Sequence, residues 1–273
     1  MSPRIYNNKK LILVFLIFFQ NGCSFSFSAL EYNRGQSAAN KGDFKSAVVH
    51  YKRVMSRDPE SSEALEAARE AARISFFKTK KFAEAVQYYK HLVRYSKIEN
   101  ERHDAQAKIA SIFFEKITDY PRAVEEYNKL LLLNNAKKEA IDYRFNLAKA
   151  YFYLNNFPDS QGEIESALKI VEDSDKKFDL LMFLGSIYFN TKRAERAINV
   201  YEDLGKTFPD RAQKENISMN IVVCYEELEA FDKAIEKLKA IRPTYSDKEF
   251  IDLRIKRLLE RKANQPGSRG LRK

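Results

Sequence analysis

Few residues of this 273-residue chain have the type and spacing that chemistry requires. The sequence contains no glycine-rich phosphate loop and no GxSxG, HExxH or CxxC motif, and His50, His91 and His103 are not at metal-ligand spacing. We therefore expect no catalytic site, no metal, no cofactor and no small-molecule substrate. Of the two cysteines, Cys224 lies in an apolar run and is expected to be a small buried side chain. Only Cys23 has a context that suggests a reaction.

The segment that precedes Cys23 has the pattern of an export signal. Its basic residues, which come first, are Arg4, Lys9 and Lys10. Nine consecutive apolar residues follow at 11–19. Because a helix needs about 20 apolar residues to span a bilayer, this run predicts a cleaved signal and not a permanent transmembrane anchor.

The residues around Cys23 resemble a bacterial lipobox, in which a small residue precedes the cysteine that is acylated and becomes the first residue of the mature protein. Gly22 fits this pattern, although the usual leucine three places before the cysteine is missing. The resemblance implies a lipoprotein-type signal peptide at 1–22, an acylated N-terminus and short tether at 23–27, and a lipid anchor on Cys23. Ordinary cleavage after Ser28, at a small-x-small site, and an unprocessed segment are the alternatives.

An internal repeat organises the rest of the chain. This part is rich in Ala, Leu, Lys and Glu and poor in Gly and Pro, which favours helix. Six segments align on a small residue, with successive spacings of 38, 38, 37, 37 and 37, and a large side chain follows each four positions later. The small residues are Ala47, Ala85, Ala123, Ser160, Ala197 and Ala234, and the large ones are Tyr51, Tyr89, Tyr127, Ile164, Tyr201 and Leu238.

This pattern resembles the tetratricopeptide repeat (TPR), a helix-turn-helix unit of about 34 residues with small residues where its helices cross. Together with the lipobox it makes the chain similar to TPR bacterial lipoproteins. The resemblance implies an all-α, TPR-like α-solenoid of about six helix-turn-helix repeats over residues 28–245. Each repeat would bury its apolar face by stacking on the next one.

The sequence departs from the TPR pattern in two ways. The spacing exceeds the usual one by three or four residues, which we interpret as longer loops or extra helical turns between repeats. In addition, a first-helix position that is normally small holds Arg73 in the second repeat. We therefore expect a distortion in the second repeat.

The C-terminal segment has the features of an end cap. Ser246 and Glu249 stand at capping-box spacing before an apolar stripe, which predicts a capping helix over 246–262. Such a helix would hide the last apolar face of a solenoid from water. Residues 263–273 are expected to form a disordered basic tail.

In TPR proteins the first helix of each repeat lines a concave groove, so the resemblance implies a protein-binding groove made of first-helix residues. Several of these residues are large and apolar, as is common at binding surfaces. The alternative is that they pack between helices or under the C-terminal helix. The implied groove residues are Tyr32, Ile74, Phe77, Lys108, Ile112, Phe145, Lys149, Phe152, Tyr153, Met182, Phe189, Met219 and Val223.

The charge distribution argues against a nucleic-acid partner. The net charge is +10, but residues 1–22 contribute three positive charges and residues 248–273 a net +6, which leaves +1 for residues 23–247. A nearly neutral repeat region with a basic end is a poor nucleic-acid footprint. The basic end either contacts anionic lipid headgroups or is simply solvated.

Recognition of proteins is therefore the expected function, in one of two forms. The first is a lipid-anchored TPR scaffold that binds protein or peptide segments during bacterial cell-envelope assembly, on the outer membrane facing the periplasm. The second is a soluble periplasmic carrier or chaperone for exported polypeptides. Acylation of the mature N-terminus distinguishes the two.

Overall fold

The computed structural model describes residues 27–133 and 137–265, and for Lys137 and Lys138 the backbone alone. The predicted signal peptide, Cys23 and most of the predicted C-terminal tail lie outside these residues. Every regular element in the described part of the chain is a helix. Within the same part, no helix has both the length and the apolar character needed to cross a bilayer.

The chain divides into two compact units between Leu133 and Asn134. Unit 1 contains α1 (27–40), α2 (Phe44–Arg57), α3 (Ser62–Arg73), α4 (Phe82–Tyr95), α5 (Glu99–Ser111) and α6 (Tyr120–Leu133). Unit 2 contains α7 (Lys137–Tyr153), α8 (Phe157–Leu168), α9 (Ser174–Asn190), α10 (Ala194–Thr207), α11 (Pro209–Lys214), α12 (Ile217–Glu227), α13 (Phe231–Ile241) and α14 (Lys248–Ala263).

The helices form antiparallel pairs that match the six predicted repeats. The first helices are α1, α3, α5, α7, α9 and α12, and the second helices are α2, α4, α6, α8, α10 and α13. Each aligned small residue lies in a second helix and is fully buried, including Ser160, whose hydroxyl donates to the carbonyl oxygen of Ala148 (2.8 Å). The prediction of an all-α, TPR-like solenoid is confirmed.

The two helices of a pair approach most closely where the first helix has a small side chain. A Cβ atom added to Gly185 would lie 2.4 Å from the Tyr201 ring, and one added to Gly35 would lie 2.6 Å from the Tyr51 ring. Since Cβ atoms do not pack this closely, only glycine fits against the tyrosine in these two repeats. The aligned tyrosines are therefore large side chains that fill the helix crossing.

The same turn joins the two helices in every repeat. Its central residue has a left-handed backbone and lies five positions before the aligned small residue. Asparagine and glycine tolerate this conformation, but four of the six residues are of other types. The turn residues are Gly42, Lys80, Thr118, Asn155, Lys192 and Glu229, with φ between 53° and 79°.

The first helices of the second and third repeats end in a π-helical turn. These turns cover Ile74–Lys78 after α3 and Ile112–Ile117 after α5. A π turn accommodates one additional residue within a helix. The aligned small residues of these two repeats, Ala85 and Ala123, each come 38 residues after the preceding one, whereas the other spacings are 37. The one extra residue in each of these two repeats therefore lies inside the first helix. The interpretation of the extra length as a loop or turn between repeats is wrong for this residue.

Backbone hydrogen bonds at the turn show the same shift of one residue. The amide that closes the turn bonds to a carbonyl oxygen five residues back in four repeats, but six residues back in the second and third repeats. The five-residue bonds are Asp43 to Ala38, Asn156 to Tyr151, Arg193 to Tyr188 and Ala230 to Tyr225, and the six-residue bonds are Lys81 to Ser75 and Asp119 to Phe113. Upstream of each π turn, the residues of the first helix are therefore displaced by one position relative to the four repeats that have no π turn.

This displacement corrects the expected distortion at Arg73. The small position of the second repeat is occupied by Ala72, which is buried, while Arg73 is exposed and donates to Glu70 (2.6 Å). In the third repeat, Ala110 is the buried counterpart. The helix crossing is thus conserved in geometry, and the π turn restores a small residue to it.

α14 covers the end of the last repeat, as predicted. It buries Ile251 and Leu258 against a cluster that includes Val222 of α12 and Leu238 of α13. The helix begins at Lys248, and its cap is Asp247, whose carboxylate accepts a hydrogen bond from the Phe250 amide (2.9 Å). The predicted capping box of Ser246 and Glu249 is therefore wrong, because Asp247 supplies the cap one residue later.

Candidate protein-binding surface

The largest group of predicted groove residues is an aromatic cluster on α7 and α9, in unit 2. Phe145 and Phe152 lie seven residues apart, so they share one face of α7. Both pack against Phe183 of α9, with ring centroids 5.7 Å apart for Phe145 and 5.3 Å apart for Phe152. All three rings are only partly buried, so their remaining surface is available to a partner.

Phe183 is a member of this cluster that the sequence analysis missed. The TPR resemblance points to its neighbour Met182, which packs against the core cluster of the fifth repeat. α9 is apolar on most of its surface, with Leu184 and Ile187 among its buried residues. The apolar periodicity of α9 therefore did not reveal which side chain faces α7.

Phe152 also has structural contacts. Its ring lies 5.3 Å from that of Phe157, at the start of α8, with an interplanar angle of 75°. Its ring is part of the cluster that surrounds Ile164 and Leu184. Truncation of Phe152 is therefore expected to affect folding as well as binding. Tyr153, beside it, is 56% exposed and is the more accessible of the two.

Lys149 lies between the two α7 phenylalanines. Its Nζ atom is 3.7 Å from the centroid of the Phe145 ring, which is a cation–π distance. Burial lowers the pKa of Lys149, and the negative charges of Asp179 and Asp142 oppose this shift. Within residues 27–133 and 137–265, no carboxylate lies at ion-pair distance from this ammonium group.

The two nearby carboxylates already have partners. Asp142 accepts from Lys176 (2.5 Å), and Asp179 accepts from Arg211 (2.5 Å). Lys149 is therefore a cation in a half-buried apolar setting whose nearest acids are engaged elsewhere. A carboxylate brought by a partner would be attracted to it more strongly than in water.

The remaining predicted groove residues of unit 2 are partly buried. Phe189 packs against the core cluster of α9, α10 and α12, and Met219 against the cluster beneath α14. Val223 is half-buried on α12. These side chains mainly contribute to packing between helices.

In unit 1, two predicted groove residues belong to the core. Ile74 is fully buried, and Ile112 is 1% exposed, so neither can contact a partner. The physical reason is the π turn, which rotates the upstream helix by one residue. The positions that match Lys149 are consequently Arg73 and Ser111. Phe77, within the π turn, is 58% exposed.

The first helices of unit 1 present charged side chains where those of unit 2 present aromatic ones. Arg69 donates to Glu101 (2.5 Å) and also to Glu66. Tyr32 is half-buried, and Lys108 is exposed. An opening of about 460 Å³ beside α1 and α3 is lined by Tyr32 together with Glu66, Glu70 and Arg73. This surface is polar, and its charges are largely paired.

The remaining chemistry-bearing residues have structural roles. Cys224 is buried, and burial raises the pKa of its thiol to about 11, so the thiolate needed for reaction is disfavoured. His91 bonds through Nε2 to the Pro59 carbonyl oxygen (2.9 Å). In the described part of the chain, no three His, Cys, Asp or Glu side chains are grouped so that they could hold a metal ion.

The fold is that of a TPR-like α-solenoid. The family model for the tetratricopeptide repeat matches residues 32–97 and 145–212, so the chain contains repeats of this class. No match is found among curated protein sequences.

Two solved structures support the fold. A chain in the structure of Naa15/Naa10 bound to HypK-THB has a TM-score of 0.67 at 16% identity, over 88% of this chain and 35% of that one. BtubC (BKLC) from P. vanneervenii has a TM-score of 0.51 at 16% identity, over 86% of this chain and 93% of that one. The chain thus spans about a third of the first of these proteins. At this identity, the likeness concerns the fold.

Proposed function

We propose that this chain is a protein-binding scaffold that holds a partner segment against the aromatic cluster of Phe145, Phe152 and Phe183. One observation carries the proposal: three partly exposed rings lie together, and one of them, Phe145, contacts a lysine whose ammonium group has no carboxylate partner in the described chain. Aromatic residues, including phenylalanine, are enriched at protein interfaces relative to the rest of the protein surface.

The chemistry of the cluster indicates the kind of segment that it binds. Apolar side chains of the partner would cover the three rings, and an acidic group would pair with Lys149. Because the lysine is half-buried, such a pair would be less screened by salt than a surface ion pair. The segment is therefore expected to combine aliphatic or aromatic residues with at least one carboxylate.

We further propose that the scaffold is tethered to the bacterial cell envelope through a lipid on Cys23 and acts there in an assembly process. The basic residues, the nine apolar residues and the Gly22-Cys23 pair support this part of the proposal. A soluble periplasmic carrier for exported polypeptides is the second candidate, supported by the possible cleavage after Ser28. No catalytic step is assigned to either form.

Site-specific photocrosslinking in cells tests the binding surface. A crosslinking residue in place of Tyr153 should capture a protein, because this position is exposed beside Phe152. The matched control is Glu165, an exposed residue on the second helix of the same repeat. Identical products at both positions would argue against a specific surface at α7.

Fatty-acid labelling tests the anchor separately. Cys23→Ala should abolish acyl labelling and move the protein to the soluble fraction. Labelling that persists in this variant would refute acylation of Cys23. A native protein that is soluble and carries no fatty acid would favour the carrier.

A further inference from the structure

The C-terminal helix carries a second exposed surface whose chemistry differs from that of the aromatic cluster. Phe250 and Leu253 are 41% and 48% exposed, and Arg257 follows on the same helical face at a spacing of seven residues from Phe250. The buried face of α14 is formed by Ile251 and Leu258. The stripe of Phe250, Leu253 and Arg257 therefore lies beside the packed face of the helix and remains accessible to solvent.

Three arginines on this side of α14 have different roles. Arg254 donates to the Glu226 carboxylate of α12 (2.8 Å), and Arg261 reaches the other oxygen of the same carboxylate (3.5 Å) while it stacks on Phe231. These two arginines attach α14 to α12. Arg257 stands between them in sequence, yet no hydrogen bond or ion pair joins it to any residue that the structure describes.

A cleft of about 240 Å³ runs along this stripe between α14 and α12. The side chains that line it are Glu226, Phe250, Leu253, Arg254, Arg257, Leu258 and Arg261. The cleft thus has apolar walls and carries three positive charges against one negative charge. A neighbouring opening shares Arg257, but there Glu229 and Glu260 balance the two arginines. The excess positive charge is concentrated in the cleft that also offers the apolar surface.

We propose that this cleft docks an acidic amphipathic helix of a partner protein. Apolar residues of the partner would cover Phe250 and Leu253, and a carboxylate would accept hydrogen bonds from the Arg257 guanidinium. The stripe has the i, i+3, i+7 spacing of one helical face, which is the spacing that a partner helix can match. The planar guanidinium suits a bidentate contact with a carboxylate.

The pairing of two further cations, one at the end of α13 and one on α14, favours a protein over a membrane surface. Arg242 holds Asp252 (2.6 Å), and Lys262 holds Asp232 (2.5 Å), so much of the positive charge at this end is already neutralised. An anionic membrane attracts a broad layer of basic residues. A narrow cleft with one available guanidinium fits a single carboxylate better.

Affinity measurements with a designed peptide test this inference. The probe is a fluorescent helical peptide with leucine on one face and glutamate beside it, and its counterpart has glutamine in place of each glutamate. Arg257→Glu should weaken binding of the acidic probe by about tenfold or more, since it replaces attraction by repulsion. Lys256→Glu is the matched control, with the same charge change at an exposed residue of α14 that does not line the cleft, and should change affinity by less than about twofold. Both variants should melt like the native protein.

The outcomes separate this site from the other possibilities. Equal losses in the two variants, or equal binding of the glutamine probe, would overturn the proposal, because only net charge or apolar contact would then matter. Loss of probe binding in Tyr153→Ala but not in Arg257→Glu would assign the probe to the aromatic cluster. Binding of phosphatidylglycerol vesicles that depends on Arg257, without probe binding, would identify a membrane surface. Self-association that Arg257→Glu abolishes would identify a second copy of the chain.

Discussion

The two units are built from the same repeat, but the surfaces of their first helices differ in chemistry. The first helices of unit 1 carry paired charges, such as Arg69 with Glu101, whereas those of unit 2 carry the partly buried rings of Phe145 and Phe183. Part of the difference follows from one extra residue in each of two repeats of unit 1. The π turn keeps the helix crossing intact, but it turns an isoleucine into the core and an arginine or serine outward.

This contrast shows that the spacing of a repeat does not by itself assign residues to a surface. The aligned small residue and the left-handed turn keep their positions in both units. Upstream of the turn, however, one inserted residue rotates a helix by about 100°. Positions carried over from the TPR pattern therefore remain at least partly exposed in unit 2, whereas two of them, Ile74 and Ile112, are buried in unit 1.

The largest expected effect tests this displacement directly. Ala72→Leu should destabilise unit 1 by about 3 kcal/mol, because Ala72 is buried at a helix crossing. Arg73→Leu should change stability by less than about 0.5 kcal/mol, since Arg73 is exposed. Urea denaturation, with hydrogen exchange to localise the loss, measures both. The residues at the same two positions of the repeat in unit 2 are Ala148, which is buried, and Lys149, which is partly exposed. A more severe effect of Arg73→Leu than of Ala72→Leu would contradict the π-turn register.

The second prediction concerns the aromatic side of the comparison. Phe152→Ala should weaken binding of the partner segment by about 2 kcal/mol. It should also lower the melting temperature, because the ring packs against Phe157 and Phe183. Tyr153→Ala should reduce binding with little change in melting temperature. Phe77→Ala, an exposed aromatic change in unit 1, should leave binding unchanged. Equal effects of Phe77→Ala and Tyr153→Ala would remove the functional distinction between the units.

A third prediction uses the buried charge of unit 1. Glu31 is 2% exposed and accepts hydrogen bonds from Arg34 (2.7 Å) and Arg53 (3.2 Å), and it is bonded to His50 (2.9 Å). These partners, His50 foremost, hold the pKa of Glu31 at about 2, below its ordinary value of 4.5. Glu31→Gln should therefore cost about 1.5 kcal/mol near neutral pH.

The pH dependence of this effect has a defined sign. Because the folded-state pKa of Glu31 is depressed, its contribution is complete above pH 4.5 and is lost as the pH falls toward 2. The difference in unfolding free energy between the native protein and Glu31→Gln should shrink over that range. A constant difference from pH 6 to pH 3 would show that the charge of Glu31 is not responsible.

The sequence predicted much of the fold and less of the surface. Buried small residues such as Ala197 and their partner Tyr201 repeat regularly, so the pairing of helices could be predicted from their spacing. The π turns could not, because a spacing of 38 fits a longer loop as well as an inserted helical residue. Phe183 was missed because α9 is apolar on most sides, and only packing against α7 distinguishes it.

The smallest expected effect concerns the turn that both units share. Thr118 has a left-handed backbone (φ 57°), which is strained for a β-branched residue, so Thr118→Gly should stabilise unit 1 by about 0.5 to 1 kcal/mol. Glu229→Gly in unit 2 (φ 53°) should give a smaller gain, because glutamate is not β-branched. Thr191→Gly is the control, since Thr191 has a negative φ (−95°). Glycine there should destabilise the chain, because it has greater freedom when unfolded and removes the hydroxyl that donates to the Ile187 carbonyl oxygen (2.8 Å). Denaturation midpoints measure the three variants. If Thr118→Gly and Thr191→Gly shifted the midpoint in the same direction, the left-handed turn would not be the common element of the two units. The one-residue displacement of α3 and α5, which is counted from this turn, would then have to be counted from another residue.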